Sequence, residues 1–368
     1  MRSGYKKLGD FIKPVKVKNK ELKYSKLLGI NIDKYFMPSV ANVVGTNMAR
    51  YKIICPGQFA CNRMHVGRDY RIPIALSREV DPFIISPAYD VFEITKPNEL
   101  DAEYLMMWFS RKEFDRNAWY YTDADVRGGL PWDAFCNLEL PVPSIAKQRE
   151  VVAEYNSVVN RIKLNEQISQ KLEETAQAIY RRWFVEVAAM ESLPYGWRLG
   201  KLTDLIEVKY GKAYSHLEEG EIPLYGSGGV MGKVNKALYT KPSVLIPRKG
   251  SLSNIMLVNH PFWSVDTMFY SKFNNEMDGY YAYYVLKQLN FKALNQGSAV
   301  PSMTTAFLKD IDVVLPTKGT LKDFYDITKR IIVYKEYLEK ENQNLGEIKA
   351  LVLSKMTKIK IEKELQWN

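Results

Sequence analysis

The stretch Gly226-Ser227-Gly228-Gly229-Val230-Met231-Gly232-Lys233 most invites a chemical reading, as a loop whose backbone cradles phosphate. Its spacing defeats that reading. A phosphate loop of the Walker type sets a glycine six positions before its lysine and a hydroxyl directly after it. Here those positions hold Ser227 and Val234. Tight turns beside β-structure account for the glycines, and a backbone without side chains can approach a ligand or DNA closely. Cys61 and His65 have the types of a nucleophile and a base, but no third group that would orient them is evident. Glu218-Glu219 sits in a polar stretch and reads as a solvated loop. There is no Asn-Pro-Pro-Tyr or Asp-Pro-Pro-Tyr for amino methylation, and no Pro-Asp followed by Glu-x-Lys of a common nuclease type. The 3 cysteines and 3 histidines are scattered without metal-ligand spacing. No catalytic residue and no metal ligand is assigned.

Basic and aromatic loops stand in place of an active site. The first runs from Cys61 to Arg71 and offers Asn62, Arg63, His65, Arg68 and Arg71. A second joins Tyr120 and Tyr121 to Arg127. Further along the chain come Lys212 and Tyr214, then Ser227 and Lys233, then Arg248, Lys249, Ser251 and Asn254, and last Gln296 and Ser298. Arginine reads guanine bidentately in the major groove and asparagine or glutamine reads adenine. Most protein–DNA hydrogen bonds go to phosphate, so loops of this kind position as well as read. The competing reading is plain surface loops.

Something must position these loops, and the sequence repeats itself in doing so. Two segments, 146–187 and 320–358, read as long helices. Each follows a strand-like apolar run, a proline and a hydroxyl residue, Pro143-Ser144 in one and Pro316-Thr317 in the other. They align without a gap at an offset of 173 residues, matching Val158 to Ile331, Leu172 to Leu345 and Ile179 to Val352. Val151, Tyr155, Val158, Ile162, Asn165, Ser169, Leu172, Ala176, Ile179 and Trp183 form a heptad seam in the first. Phe324, Ile327, Ile331, Tyr334, Leu338, Glu341, Leu345, Ile348 and Val352 form its counterpart. The polar Asn165, Ser169 and Glu341 within the seams suit an antiparallel pair whose register is set by polar groups.

The segments before each helix repeat more faintly. Leu8-Gly9-Asp10 resembles Leu202-Thr203-Asp204, and Ile53-Ile54-Cys55-Pro56-Gly57 resembles Leu245-Ile246-Pro247-Arg248-Lys249. Ser86 to Phe92 resembles Ser264 to Tyr270, and Tyr104 to Trp108 resembles Tyr281 to Val285. The class expected is α+β: two domains of mixed β-sheet and short helices, separated by two long antiparallel coiled-coil-like helices. The boundaries expected are 1–145 for the first domain, 146–190 for the first helix, 191–317 for the second domain and 318–368 for the second helix and tail.

Composition agrees with a folded chain. Of 368 residues, 46% are hydrophobic and 26% charged, which excludes general disorder. The net charge of +10 is spread along the chain rather than held in a tail, as expected of a surface that tracks phosphates. No run of about 18 uncharged apolar residues occurs and the first residues lack the apolar core of a secretory signal. With few cysteines, a cytoplasmic location and no membrane partner are expected.

These features together resemble the specificity subunit of type I restriction–modification systems. The resemblance rests on Leu224-Tyr225-Gly226-Ser227-Gly228-Gly229-Val230-Met231-Gly232, then Val244-Leu245-Ile246-Pro247-Arg248-Lys249-Gly250-Ser251. Pro261-Phe262-Trp263-Ser264-Val265-Asp266-Thr267, Asn295-Gln296-Gly297-Ser298 and the run Lys147-Gln148-Arg149-Glu150 after Pro141-Val142-Pro143 add to it. The second helix lacks that last run and carries Lys322-Asp323-Phe324-Tyr325 near its start.

The resemblance implies two target recognition domains, each reading one half of a split asymmetric site in double-stranded DNA. It implies a pair of helices that fixes the spacer between the halves, at most about 17 base pairs for about 57 Å of helix. It implies partners, two modification (methyltransferase) subunits and restriction (translocase and nuclease) subunits. S-adenosylmethionine, ATP and magnesium would sit on those partners, and this chain would bind no cofactor and catalyse nothing. The alternatives are a self-contained DNA-modifying enzyme and a helical adaptor without sequence readout.

Overall fold

The computed structural model describes residues 5–41, 45–64, 66–122, 128–289 and 303–357. Backbone contacts divide the chain into two units, one drawing on 1–164 and 341–368, the other on 165–340. The expected α+β class, with its two long helices, is what the chain adopts.

The first unit is built on a four-stranded antiparallel sheet in the order Ile12–Val15, Asp90–Ile94, Phe59–Cys61, Ile74–Leu76. The second unit has a sheet in the order Ile206–Tyr210, Met268–Phe273, Ser243–Pro247, Met256–Val258. In sequence both orders run first, last, second, third. The faint repeat is therefore a repeat of topology. One alignment needs correction. The counterpart of Ser243–Pro247 is Phe59–Cys61, whereas Lys52–Ile54 pairs with Phe83–Ile85 in a separate ladder. Ile53-Ile54 shares the β-branched apolar character of Ser243–Pro247, but in Lys52–Ile54 only Ile54 is fully buried.

The strand Ser243–Pro247 is buried along its whole length. Side chains alternate across a strand, and here Val244 and Ile246 enter one apolar cluster while Leu245 enters another. Phe59 and Cys61 likewise separate from Ala60. Each sheet is thus covered on both faces, which explains continuous apolar runs in place of alternation.

Each unit is closed by a short ladder at the root of a long helix. Tyr5–Lys7 pairs with Glu139–Pro141, and Arg198–Lys201 pairs with Asp312–Leu315. The helix Ile145–Tyr180 continues through a π-helical turn, Arg181–Val185, into Glu186–Ala188, and the second long helix is Lys318–Lys355. Ser144 Oγ accepts from the Lys147 amide at 3.4 Å and Thr317 Oγ1 from the Thr320 amide at 3.3 Å, so both hydroxyls cap their helices. Gln148 is wholly buried. Its amide donates to the carbonyls of Glu99 and Pro143, and its oxygen accepts from the Asp101 amide at 2.9 Å. At the offset of 173 the second helix has Leu321, 6% exposed, so an apolar side chain does by burial what Gln148 does by hydrogen bonding.

In the first long helix every expected seam residue is at least half-buried. In the second, three of the nine expected seam residues are displaced by one position, while Glu341 is half-buried as expected. Phe324, Ile331, Leu338, Leu345 and Val352 do face inward. Between them sit Thr328, Lys335, Asn342 and Lys349, while Ile327, Tyr334 and Ile348 are exposed. Polar groups can occupy a seam when their donors are used. The Thr328 hydroxyl donates to the Phe324 carbonyl at 2.8 Å, and Lys335 pairs with Glu173 at 2.5 Å within the second unit. Within the first unit Arg161 meets Glu341 and Glu154 meets Lys355. Residues later in one helix oppose residues earlier in the other, the antiparallel sense. Among the described residues no helix is long and apolar enough to cross a membrane.

Two predictions follow from the helices. Gly346 is exposed in mid-helix and a Cβ there would meet nothing within 4 Å. Gly346→Ala should stabilise the chain by about 1 kcal/mol, measured by urea unfolding. Burial works to raise the Glu173 carboxyl, but hydrogen bonds from Lys335 and Gln177 and the lysine charge outweigh it and hold it below its ordinary value. A depressed carboxyl stabilises the fold above its unfolded value and loses that contribution as pH falls through its folded value. Glu173→Gln should therefore lower stability at pH 7, and the gap to the native chain should close at pH 3; a gap independent of pH would contradict the pairing.

Candidate nucleic-acid interface

The strand order of the second unit brings together loops that are far apart in sequence. The hairpin Ile222–Gly226 and Gly229–Val234 turns at Ser227 and Gly228, and Gly229 has φ +116°, open to glycine alone. Beside it runs the loop after Ser243–Pro247. Asn254 Nδ2 donates to the Ser227 carbonyl at 2.9 Å. Gly250, at φ +81°, packs against this turn, and a Cβ there would stand 2.8 Å from Ser227 Oγ. Val265 N donates to the Tyr225 carbonyl at 3.0 Å and Lys212 N to the Ser264 carbonyl at 2.9 Å, which adds the loop after Ile206–Tyr210. Ser227, Asn254, Arg248 and Lys212 thus share one end of the unit.

Arg248 is held there firmly. Its Nη1 donates to the Asp266 carbonyl at 2.9 Å and its guanidinium lies 5.2 Å from the Tyr210 ring centre and 5.6 Å from that of Phe269. Lys249 and Ser251 are exposed on the same loop, and Tyr214 is exposed beyond Lys212. Lys233 stands apart. It lies on the outgoing strand opposite Pro223 and pairs with Glu221 at 2.9 Å. Sequence reading missed Tyr210, which is 53% exposed and shares the Arg248 guanidinium. Only the pairing of Tyr210 with Phe269 brings it there, and no local signal marks it.

In the first unit, Gly67 N donates to the Gly128 carbonyl at 2.7 Å, and a Cβ on either glycine would clash with the other's Cα at 2.7 Å. This packs the 62–68 segment on 128–130. Arg63 is turned inward. It donates to Asp90 Oδ2 at 2.8 Å and to the Leu130 carbonyl, and stacks 5.3 Å from the Trp132 ring centre. Asn62 Oδ1 accepts from the Met64 amide at 3.0 Å. Arg68 and Arg71 are exposed and pair with Asp69 and Asp33. Tyr70, at φ +54°, rests on Trp119 with ring centres 5.3 Å apart. Tyr120 and Tyr121 are exposed and rim a cavity of about 680 Å³ whose lining includes Trp108, Arg111 and Arg116. His65, Arg127, Gln296 and Ser298 lie outside the described residues.

A buried ion pair fixes the first unit's loops. Lys34, at φ +73°, reaches Asp115 Oδ1 at 2.7 Å and also donates to the Phe109 carbonyl. Asp115 Oδ1 accepts from the Ile72 amide at 3.2 Å as well. One carboxylate therefore ties the Lys34 turn to the helix Lys112–Tyr120 and to the segment after Tyr70. Burial draws the Lys34 amine below its ordinary value, against the pull of Asp115.

Cys61 is wholly buried and burial pushes its thiol far up, so it is no thiolate nucleophile. Glu218 and Glu219 are exposed. Among the described residues no cluster of three potential ligands could hold a metal.

Comparison with known proteins places this architecture. The family described as "Type I restriction modification DNA specificity domain" matches residues 194–350. The type I restriction enzyme HindI specificity subunit of Haemophilus influenzae is 23% identical over 158 residues, 42% of this chain and 33% of that subunit. The match thus spans about a third of the relative's length. The crystal structure of a type I restriction–modification system S subunit from M. genitalium superposes with a TM-score of 0.61 at 17% identity, over 96% of this chain and 95% of that one. That likeness is one of fold.

Asp115→Ala would strand a buried lysine and the Ile72 amide. It should cost about 3–5 kcal/mol of stability, measured by denaturant unfolding, and Lys34→Met with Asp115→Leu should recover most of that loss.

Proposed function

We propose that the whole chain is the DNA-reading subunit of a type I restriction–modification complex, a reading supported by the match of residues 194–350 to the family described as type I restriction modification DNA specificity domain. The observation that carries this is the doubled topology. A second sheet of the same strand order, with the same ladder at the root of a long helix, stands in residues outside the matched segment. Two such units suit a split site, each reading one half of an asymmetric sequence in double-stranded DNA.

In this reading residues 1–145 and 191–317 are the two recognition domains, and 146–190 and 318–368 supply the spacer helices and tail. The cations and amides gathered around Ser227 and Arg248 read one half-site. Arg68, Arg71 and the tyrosines beside them serve the other. The exposed Ile327, Tyr334 and Ile348 on the second long helix would dock modification subunits, which bring S-adenosylmethionine, while restriction subunits bring the ATP and magnesium chemistry. Specificity subunits are themselves non-catalytic. The complex would work in the cytoplasm. Each target adenine would be flipped out by the modification subunit, so the loops of this chain hold the duplex while its partner acts.

The test is adenine-methylation mapping of DNA from cells that express this chain with its candidate modification subunit. A split motif should appear only when this chain is present, and Lys249→Ala should weaken modification of one half-site pattern. An assembled, active complex that methylates without a motif would overturn the reading.

A further inference from the structure

The glycines of the hairpin in the second unit divide into those the fold requires and those it does not. A Cβ on Gly211 would meet the Val265 carbonyl at 2.1 Å and one on Gly220 would strike the Asn235 backbone at 2.5 Å, whereas one on Gly226 would meet only the end of the exposed Met231 side chain. Gly229 and Gly250 have positive φ. Gly228 and Gly232 share neither reason. Around each, a Cβ would meet nothing within 4 Å, and neither has a left-handed φ. Glycine at such positions gives up conformational entropy on folding without relieving any internal clash. The space beside them is open.

The surroundings say what could use that space. Register shifts between Leu224, which faces Gly232, and Tyr225, which faces Val230, leaving Met231 as the extra residue of a bulge. Val230 is 62% exposed and Met231 57%. Apolar side chains of this kind contact thymine methyl groups or wedge against base steps. The cations gathered at this end, Lys212, Arg248 and Lys249, pair with no carboxylate among the described residues, and Asp266 offers Arg248 only its carbonyl. The turn is braced from behind by Asn254 and by the contact of Gly250 with Ser227. A rigid, apolar-tipped hairpin among uncompensated cations is complementary to a polyanion with an apolar groove floor.

We propose that residues 226–232 lie directly against double-stranded DNA, with Gly228 and Gly232 the points where the sugar–phosphate backbone reaches van der Waals contact with the main chain. Val230 and Met231 then face the base edges between those points. A two-stranded ribbon fits the major groove. This inference rests on the DNA-reading function proposed above and names the element that performs it in the second unit.

The experiment uses the full chain and a labelled duplex of mixed sequence, titrated by fluorescence anisotropy at several salt concentrations. Gly228→Ala with Gly232→Ala should keep or raise the melting temperature, because both positions are open, and should weaken duplex binding tenfold or more. The dependence on salt should stay near that of the native chain, because the change is steric. Unchanged affinity overturns the inference. Should the double variant melt early, Val230→Glu, at an exposed position, takes its place with the same expected loss and the same overturning result. Lys249→Ala separates the two levels. A native chain that binds no duplex overturns the DNA-reading function and this inference together. Binding that falls with Lys249→Ala but not with the glycine pair leaves the function standing and removes the hairpin from the interface.

Discussion

Neither sheet of this protein can close its core without a long helix. In the first unit Val151 comes from the start of one helix, and Val352 and Met356 from the end of the chain, to complete the cluster around Phe59, Phe92 and Phe109. In the second, Ala176, Tyr180 and Phe184 join Phe324 and Ile331 against Tyr281 and Tyr284. Apolar area removed from water stabilises at about 25 cal/mol per Å², and side chains such as these contribute most of it. The helices are therefore part of each unit's interior. A module cannot slide along its helix without opening its own core.

Within each module the loops follow from the same constraint. The sheet is covered on both faces, so the strands are short and apolar and the polar chemistry is driven to their ends. Carboxylates then act as ties. Asp115 holds the Lys34 turn and the Tyr70 segment to one helix, and Asp90 turns Arg63 inward. Carbonyls serve in the second unit, where Asp266 holds Arg248 without neutralising it. In the second unit Lys212, Arg248 and Lys249 pair with no carboxylate among the described residues, whereas in the first Arg68 and Arg71 are paired with Asp69 and Asp33.

The helix seams show where pattern reading succeeds and where it stops. In the first helix the expected seam and the buried face coincide. In the second, Ile327, Tyr334 and Ile348 are apolar and exposed, while Thr328 and Lys335 are polar and inward. A hydrophobic pattern assigns an apolar residue to the interior by default, and a stripe that serves an outside partner carries the same pattern. The threonine satisfies its hydroxyl on its own helix and the lysine finds Glu173 across the seam, so each removes the penalty that would have kept it outside.

Local pattern along the chain is enough for the α+β class, the doubled plan of unit and helix, the two helix starts at Ser144 and Thr317, and the loops that carry the basic and polar side chains. These are local or periodic properties: a cap needs a hydroxyl three residues before an amide, and a heptad repeats within one helix. Tertiary structure alone decided which loops meet. Tyr210 beside Arg248, Ser227 against Gly250 and Lys34 on Asp115 join residues 23 to 81 positions apart. Those contacts depend on strand order, and strand order is set by which faces can be buried together, a property of the whole core that no segment of the chain carries alone.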